Sequence, residues 1–228
     1  MDTANIAETF LSQPGADEMP QPHLKLVHEV ALLLRQTGLR VVFAESCTAG
    51  LVTAALARVP GISESLCGSA VVYRLDTKSK WLEIPAELLA DPGPVSDVIA
   101  RLMAARVLAI TPEADLAVSV TGHLGPGAPS DLDGVVYIGA AWRDDVRDVP
   151  RETSAEPAPS NDLIAVKGTV VRYQLPLEQS DTDTVESSSL NTGDTRREQR
   201  QWMAVELVLE TVKQALAIRT TSVIERGK

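Results

Sequence analysis

Cysteine is nearly absent: the 228 residues hold two, Cys47 and Cys67. Two thiols cannot build a disulfide framework, and with only three histidines they cannot supply the paired Cys and His spacing of a structural zinc site. A reducing compartment is the simpler setting. Aromatic residues make up only 4% of the chain, so a core must be assembled from Val, Leu, Ile and Ala, the composition of buried parallel strands covered by helices. An excess of cations is missing too. Lys and Arg number 21 against 31 Asp and Glu, and a formal charge of −10 argues against nucleic acid as a partner, because binding a phosphate backbone needs clustered positive charge. A small anion remains within reach, since a few local cations and a helix N-terminus can hold one. No apolar run approaches the length of a membrane span, and Met1-Asp2-Thr3-Ala4-Asn5 lacks the basic and apolar regions of a signal peptide. The expectation is a cytoplasmic protein with neither a membrane nor a nucleic-acid partner.

What is present suffices for one sizeable core: 44% of the residues are hydrophobic. Residues 1–22 carry Pro14, Gly15, Pro20 and Pro22 among polar neighbours and read as a flexible arm. Leu26, Val27, Val30, Leu33 and Leu34 have helical spacing, with Gly38 as the stop. A short apolar run, 39–44, predicts a buried strand, and Leu51, Ala54, Ala55 and Arg58 predict a helix that Pro60-Gly61 ends. Strands are predicted over 68–73, 115–121 and 134–142, and Ser96 caps a helix running to about residue 110. Two polar stretches, 144–161 and 178–195, read as loops, with a strand over 164–177 between them. An amphipathic helix over 196–218 closes the domain. The reading is therefore one domain over 23–220 with polar insertions and a tail over 221–228. Its alternating strands and helices predict a three-layer α/β/α sandwich with a mostly parallel central sheet.

The chemistry concentrates at Glu45-Ser46-Cys47-Thr48-Ala49-Gly50, a polar turn between a buried strand and a helix. A serine there can cap the helix, as serines commonly do, or act as an acyl-transfer nucleophile beside unpaired amides that stabilise an oxyanion. Cys47 is read as packing, because His23 and His28 belong to the first helix and His123 to a loop, leaving no evident base for a thiol. A serine without a histidine needs another base, and a desolvated lysine can serve because burial lowers its pKa. Lys78, five residues after Tyr73, would lie at the same sheet edge; the alternative is a solvated loop lysine like Lys80. Thr121 and Gly122 end a strand at that edge, and Gly125 and Gly127 follow in a loop where backbone amides can approach a ligand.

Glu45 to Gly50, Val59-Pro60-Gly61, Tyr73 with Lys78, Val120-Thr121-Gly122 with Gly125-Pro126-Gly127, and Gly134-Val135-Val136-Tyr137-Ile138 occur in the order of one family. From about Leu24 to Ile218 the chain resembles the CinA C-terminal domain family, the nicotinamide-nucleotide amidases. The resemblance implies hydrolysis of the carboxamide of nicotinamide mononucleotide to nicotinic acid mononucleotide and ammonia, a step of pyridine nucleotide salvage, without metal or organic cofactor. It implies that Ser46 attacks the amide carbon, that Lys78 takes its proton and, with Tyr73, passes one to the leaving ammonia, and that the backbone of Thr48, Ala49 and Gly50 holds the oxyanion. Glu45, Thr121, Gly122 and Gly125 would line the substrate site. Gly193-Asp194-Thr195-Arg196 followed by Arg200 is similar to a family element, and the four-residue spacing puts Arg196 and Arg200 on one helix face as ligands for the substrate phosphate. A homodimer is also implied.

The chain departs from the family pattern at Ala49, where a glycine is usual, at Leu75, where an asparagine is common, and at His123-Leu124. These departures motivate a second reading, a CinA-like nucleotide-binding or interaction module with little catalysis. A third is an amidase for another carboxamide.

Overall fold

A computed structural model describes residues 21–143, 167–176 and 192–226. The arm over 1–20, the insertion over 144–161 and most of that over 178–195 lie outside the described residues. In chain order the elements are α1 (Gln21–Thr37), β1 (Val41–Glu45), α2 (Leu51–Ala57), β2 (Leu66–Val71), α3 (Leu75–Leu82), α4 (Ala86–Ala90), α5 (Asp97–Ala109), β3 (Leu116–Gly122), β4 (Val135–Trp142), β5 (Lys167–Gln174) and α6 (Thr192–Arg226).

The sheet order is β2-β1-β3-β4-β5. β1 pairs in parallel with both β2 and β3, whereas β4 is antiparallel to β3 and to β5. Only β4 is reversed, so four of the five strands share one direction and the sheet is mostly parallel as expected.

Alternation along β1 explains the layers, because successive side chains of a strand point to opposite faces. Val41 and Phe43 join a core with residues of α1, α2 and α6, such as Val30, Leu56 and Val208. Val42 and Ala44 join a second core with residues of α3 and α5, such as Leu82, Ile99 and Met103. Helices thus cover both faces. α5 lies close enough to the sheet for the Ser119 hydroxyl of β3 to donate to Ala100 O at 2.6 Å. Its N-cap is the one the sequence predicts: Ser96 accepts from the N–H of Ile99.

Several boundaries differ from the sequence reading. α1 begins at Gln21 and therefore includes Gln21 and Pro22 of the expected arm. α6 spans 35 residues, taking in 192–195 of the expected second insertion and 221–226 of the expected tail. α3 and α4 occupy a stretch, between the strand over 68–73 and the helix capped by Ser96, for which the sequence reading assigned no element. Among the described residues no helix is long and apolar enough to cross a membrane.

Strand order places the site. From β1 the chain passes through α2 to β2 on one face, and from β2 through α3 to α5 back to β3 on the other. The carboxyl ends of β1 and β3 are therefore a topological switch point, where diverging connections leave a crevice for ligands.

Candidate active site

Ser46 follows the last residue of β1, and its N–H donates to Val120 O of β3 at 3.0 Å, which pins the turn to the switch point. The turn is held from below by Glu45. This carboxylate is fully buried and accepts from Thr48 Oγ1 (2.8 Å), Gly50 N (2.9 Å), Val52 N (3.1 Å), Thr53 N (3.0 Å) and Thr53 Oγ1 (2.7 Å). α2 is only seven residues long, and its N-cap position, Gly50, offers no side chain, so Glu45 satisfies the otherwise unpaired amides and opposes the positive end of the helix. The expectation that Glu45 contacts substrate is thus corrected: its oxygens are engaged by the turn. Glu45→Ala is expected to lower stability by roughly 3 kcal/mol or more, because buried donors lose a charged acceptor. In a thermal melt that is a fall on the order of 10 °C; a shift under about 2 °C would contradict the assignment.

Ala49 has φ +53° and Gly50 φ +99°. The second lies where only glycine sits easily, while the first is in the left-handed region that alanine reaches at modest cost, so Ala49 is compatible with the turn. Of the three residues expected to hold an oxyanion, Ala49 and Gly50 have their amides engaged within the turn. Ala49 N–H donates to Ser46 O and Gly50 N–H to Glu45, and the Thr48 hydroxyl is also taken, which directs attention to the amides of Cys47 and Thr48.

Lys78 is 1% exposed on α3, not a loop lysine. Its Nζ lies 2.8 Å from Ser46 Oγ, 2.7 Å from Val72 O and 3.3 Å from Tyr73 O. Burial lowers its pKa from the ordinary 10.5 to about 8. A neutral amine has two N–H groups and one lone pair; with two carbonyls taking the N–H groups, the lone pair is left to face Ser46. Burial acts in the opposite sense on Cys47, whose thiol is pushed up to about 12 and cannot supply a thiolate near neutral pH. The Cys47 carbonyl instead accepts from Gln201 Nε2 of α6 at 3.1 Å, tying that helix to the turn.

Tyr73 is placed differently from the expectation. Its residue is 53% exposed, and its hydroxyl accepts from Arg197 Nη2 at 2.8 Å, while only its backbone carbonyl approaches Lys78. It nonetheless lines the same cleft, of about 250 Å³, as Ser46, Lys78, Thr121, Gly122, Gly125 and Leu75. Thr121 is buried there and donates to Pro94 O at 2.8 Å. Gly122 leaves room for β4, since a Cβ would stand 2.8 Å from Val135 O.

A second cleft, of about 480 Å³, adjoins the first, sharing residues 124–128 and Arg197, and adds Ser130, Asp133, Arg196 and Arg200. Arg196 is exposed at this cleft. Arg200 is 2% exposed and makes a two-pronged pair with Asp133, at 2.8 and 3.2 Å, which holds the Asp133 carboxyl below its ordinary pKa. The sequence-based role of Arg200 as a free phosphate ligand is corrected accordingly: its charge is already matched by an acid, and it buttresses the loop. Gly125, at φ +66°, would bring a Cβ within 2.9 Å of Asp133 Oδ1, so the glycine keeps this pair in place. Arg197, which sequence reasoning missed, bridges the clefts by donating to Gly125 O at 2.7 Å as well as to Tyr73. Among the described residues no cluster of three or more His, Cys, Asp or Glu side chains is placed to hold a metal ion.

Fold and geometry together define an α/β protein with a serine and a buried lysine paired at the carboxyl edge of its sheet, beside an arginine-lined cleft. The chain belongs to the CinA C-terminal domain family, whose model matches residues 23–156. It is 44% identical over 116 residues to a CinA-like protein of Geobacter metallireducens, covering 49% of this chain and 27% of that protein. It is 42% identical over 125 residues to a competence-damage inducible protein of Caldicellulosiruptor bescii, covering 54% and 30%. The chain thus spans under a third of the length of these relatives. Among solved structures, the competence/damage-inducible protein of Agrobacterium tumefaciens aligns with TM-score 0.64 at 25% identity, over 89% of this chain and 99% of that one. The competence damage-inducible protein A of Klebsiella pneumoniae aligns with TM-score 0.64 at 23% identity, over 86% and 97%, a likeness of fold.

Proposed function

We propose that the protein is a serine amidohydrolase that removes the amide nitrogen of nicotinamide mononucleotide. The observation that carries this reading is the 2.8 Å approach of Lys78 Nζ to Ser46 Oγ with the lysine pKa lowered to about 8. A base works best with a pKa near the working pH, and a buried amine held by two carbonyls meets that requirement. Ser46 gives its proton to Lys78 as the Oγ–C bond forms. The Lys78 ammonium then protonates the departing nitrogen as the C–N bond breaks, leaving ammonia and a seryl ester. Water attacks the ester, passes a proton to Lys78, and the acid leaves as Ser46 is reprotonated. Each cycle consumes one water and restores both side chains.

The neighbouring arginines support a phosphorylated substrate. Arg196 is exposed at the second cleft, and a guanidinium bond to phosphate is charge-assisted. Arg196→Ala is expected to raise KM for nicotinamide mononucleotide about tenfold with little change in kcat, the mark of lost uniform binding.

Ammonia release from nicotinamide mononucleotide, nicotinamide riboside and a set of unrelated carboxamides tests the reading. Preferred turnover of the mononucleotide is expected. Turnover of a different amide would redirect the substrate assignment, and thermal stabilisation by the mononucleotide without any turnover would replace the enzyme by a nucleotide-binding module.

A further inference from the structure

We infer that Arg197 is a latch: it holds the Tyr73 hydroxyl at the cleft rim until a phosphate monoester dianion, entering the adjoining cleft, takes the guanidinium over. Three features of the site lead there. Of its three arginines, Arg200 is matched by Asp133 and Arg196 reaches only the outer cleft, whereas Arg197 lines both clefts. One arm of its guanidinium donates to Gly125 O at 2.7 Å and the other to Tyr73 Oη at 2.8 Å. Both acceptors are neutral, so a dianion is the stronger competitor for the same N–H groups.

Release matters because of where Tyr73 stands. Its carbonyl lies 3.3 Å from Lys78 Nζ, so the backbone is fixed beside the base while the ring, on a residue 53% exposed, is free to turn once the guanidinium leaves. The hydroxyl can then hydrogen-bond the departing nitrogen while the Lys78 ammonium supplies the proton, so that Tyr73 itself is left unchanged. Only this last step rests on the amidase reading; the exchange of partners does not. Linkage makes the device selective: a dianion that binds better with the latch open must favour the open state to the same degree, and a phosphate-free substrate brings no such bias.

The chain has three tyrosines, which makes a label on the phenol carbon readable residue by residue, with Tyr73→Phe assigning the signal. In protein carrying ¹³Cζ-tyrosine, titration with inorganic phosphate should move the Tyr73 resonance saturably. In Arg197→Ala the resonance should start at the shifted position and not move further. Arg197 is only partly buried, so a thermal melt near that of the wild type is expected for this variant, and the wild-type titration stands without it. The second arm measures ammonia release from nicotinamide riboside. Inorganic phosphite should raise the wild-type rate about tenfold, the scale of one charge-assisted bond, while Arg197→Ala should show the raised rate without phosphite and gain nothing from adding it. A Tyr73 resonance indifferent to phosphate overturns the latch, as does a variant that still depends on phosphite. Should no amide be turned over at all, the amidase reading falls and the resonance titration alone decides the latch.

Discussion

Ser46→Ala is expected to abolish ammonia release, by roughly 10⁴-fold or more, while the protein stays folded. The size of the effect follows from the absence of a substitute. Cys47, the adjacent thiol, is buried with its pKa pushed up to about 12, so it cannot take over. The substitution removes one hydroxyl whose side-chain contact is Lys78 and leaves the Ser46 N–H bond to Val120 O in place. The Glu45 network below the turn is also untouched. A melt within a few degrees of the wild type, alongside absent turnover, is the expected pair of results. Residual activity above about one hundredth of the wild type would exclude Ser46 as the nucleophile.

Lys78→Met should cost about 10³-fold in kcat, the usual range for a lost general base. The pH dependence gives a second readout. The base must be neutral, so wild-type kcat/KM should climb with pH and level off above about 8, and the variant's residual rate should lack that limb. Stability carries the same signature with a definite sign. Folding lowers the lysine pKa, so the folded state holds fewer protons than the unfolded one between about 8 and 10.5. The penalty for burying the ammonium is fully present below about 8 and fades as pH rises toward 10.5. The depression is worth roughly 3 kcal/mol, so the wild type should gain stability relative to Lys78→Met as pH is raised through this window. Parallel stability curves for the two proteins would mean that Lys78 keeps an ordinary pKa.

The β1 turn was legible because local signals agree: a short β-branched run after Gly38, then a polar cluster, then an alanine-rich helix. α3 was not, and the reason is physical. Its buried residues are Lys78 and Leu82, one turn apart, so the inward stripe contains a lysine where a periodicity search expects an apolar residue. A lysine in phase with a buried leucine is itself the signal that could have found it. At the anion end, the spacing of Arg196 and Arg200 was read correctly, but the acid that engages Arg200 is Asp133, 67 residues away, and a sheet and a loop bring them together. The same limit hid Arg197, whose partner Tyr73 is 124 residues distant. Glu45 was visible as a polar residue beside Ser46. Its duty to α2 depends on five donors converging on one carboxylate, a matter of backbone geometry that residue identities do not carry.

The sheet separates two jobs. Lys78 stands on α3, whose buried face packs in the core with α5, while the arginines stand on α6, which packs in the opposite core with α1 and α2. Two segments at the switch point answer to both layers: the Ser46 turn, which meets Lys78 and Gln201, and Tyr73, whose carbonyl meets Lys78 and whose hydroxyl meets Arg197. Substitutions along α6 away from Arg197 and Gln201 can therefore change the cleft with little disturbance to Ser46 and Lys78, and the two layers can drift at different evolutionary rates. A designer seeking to change the ligand would rework the α6 side and leave α3 alone.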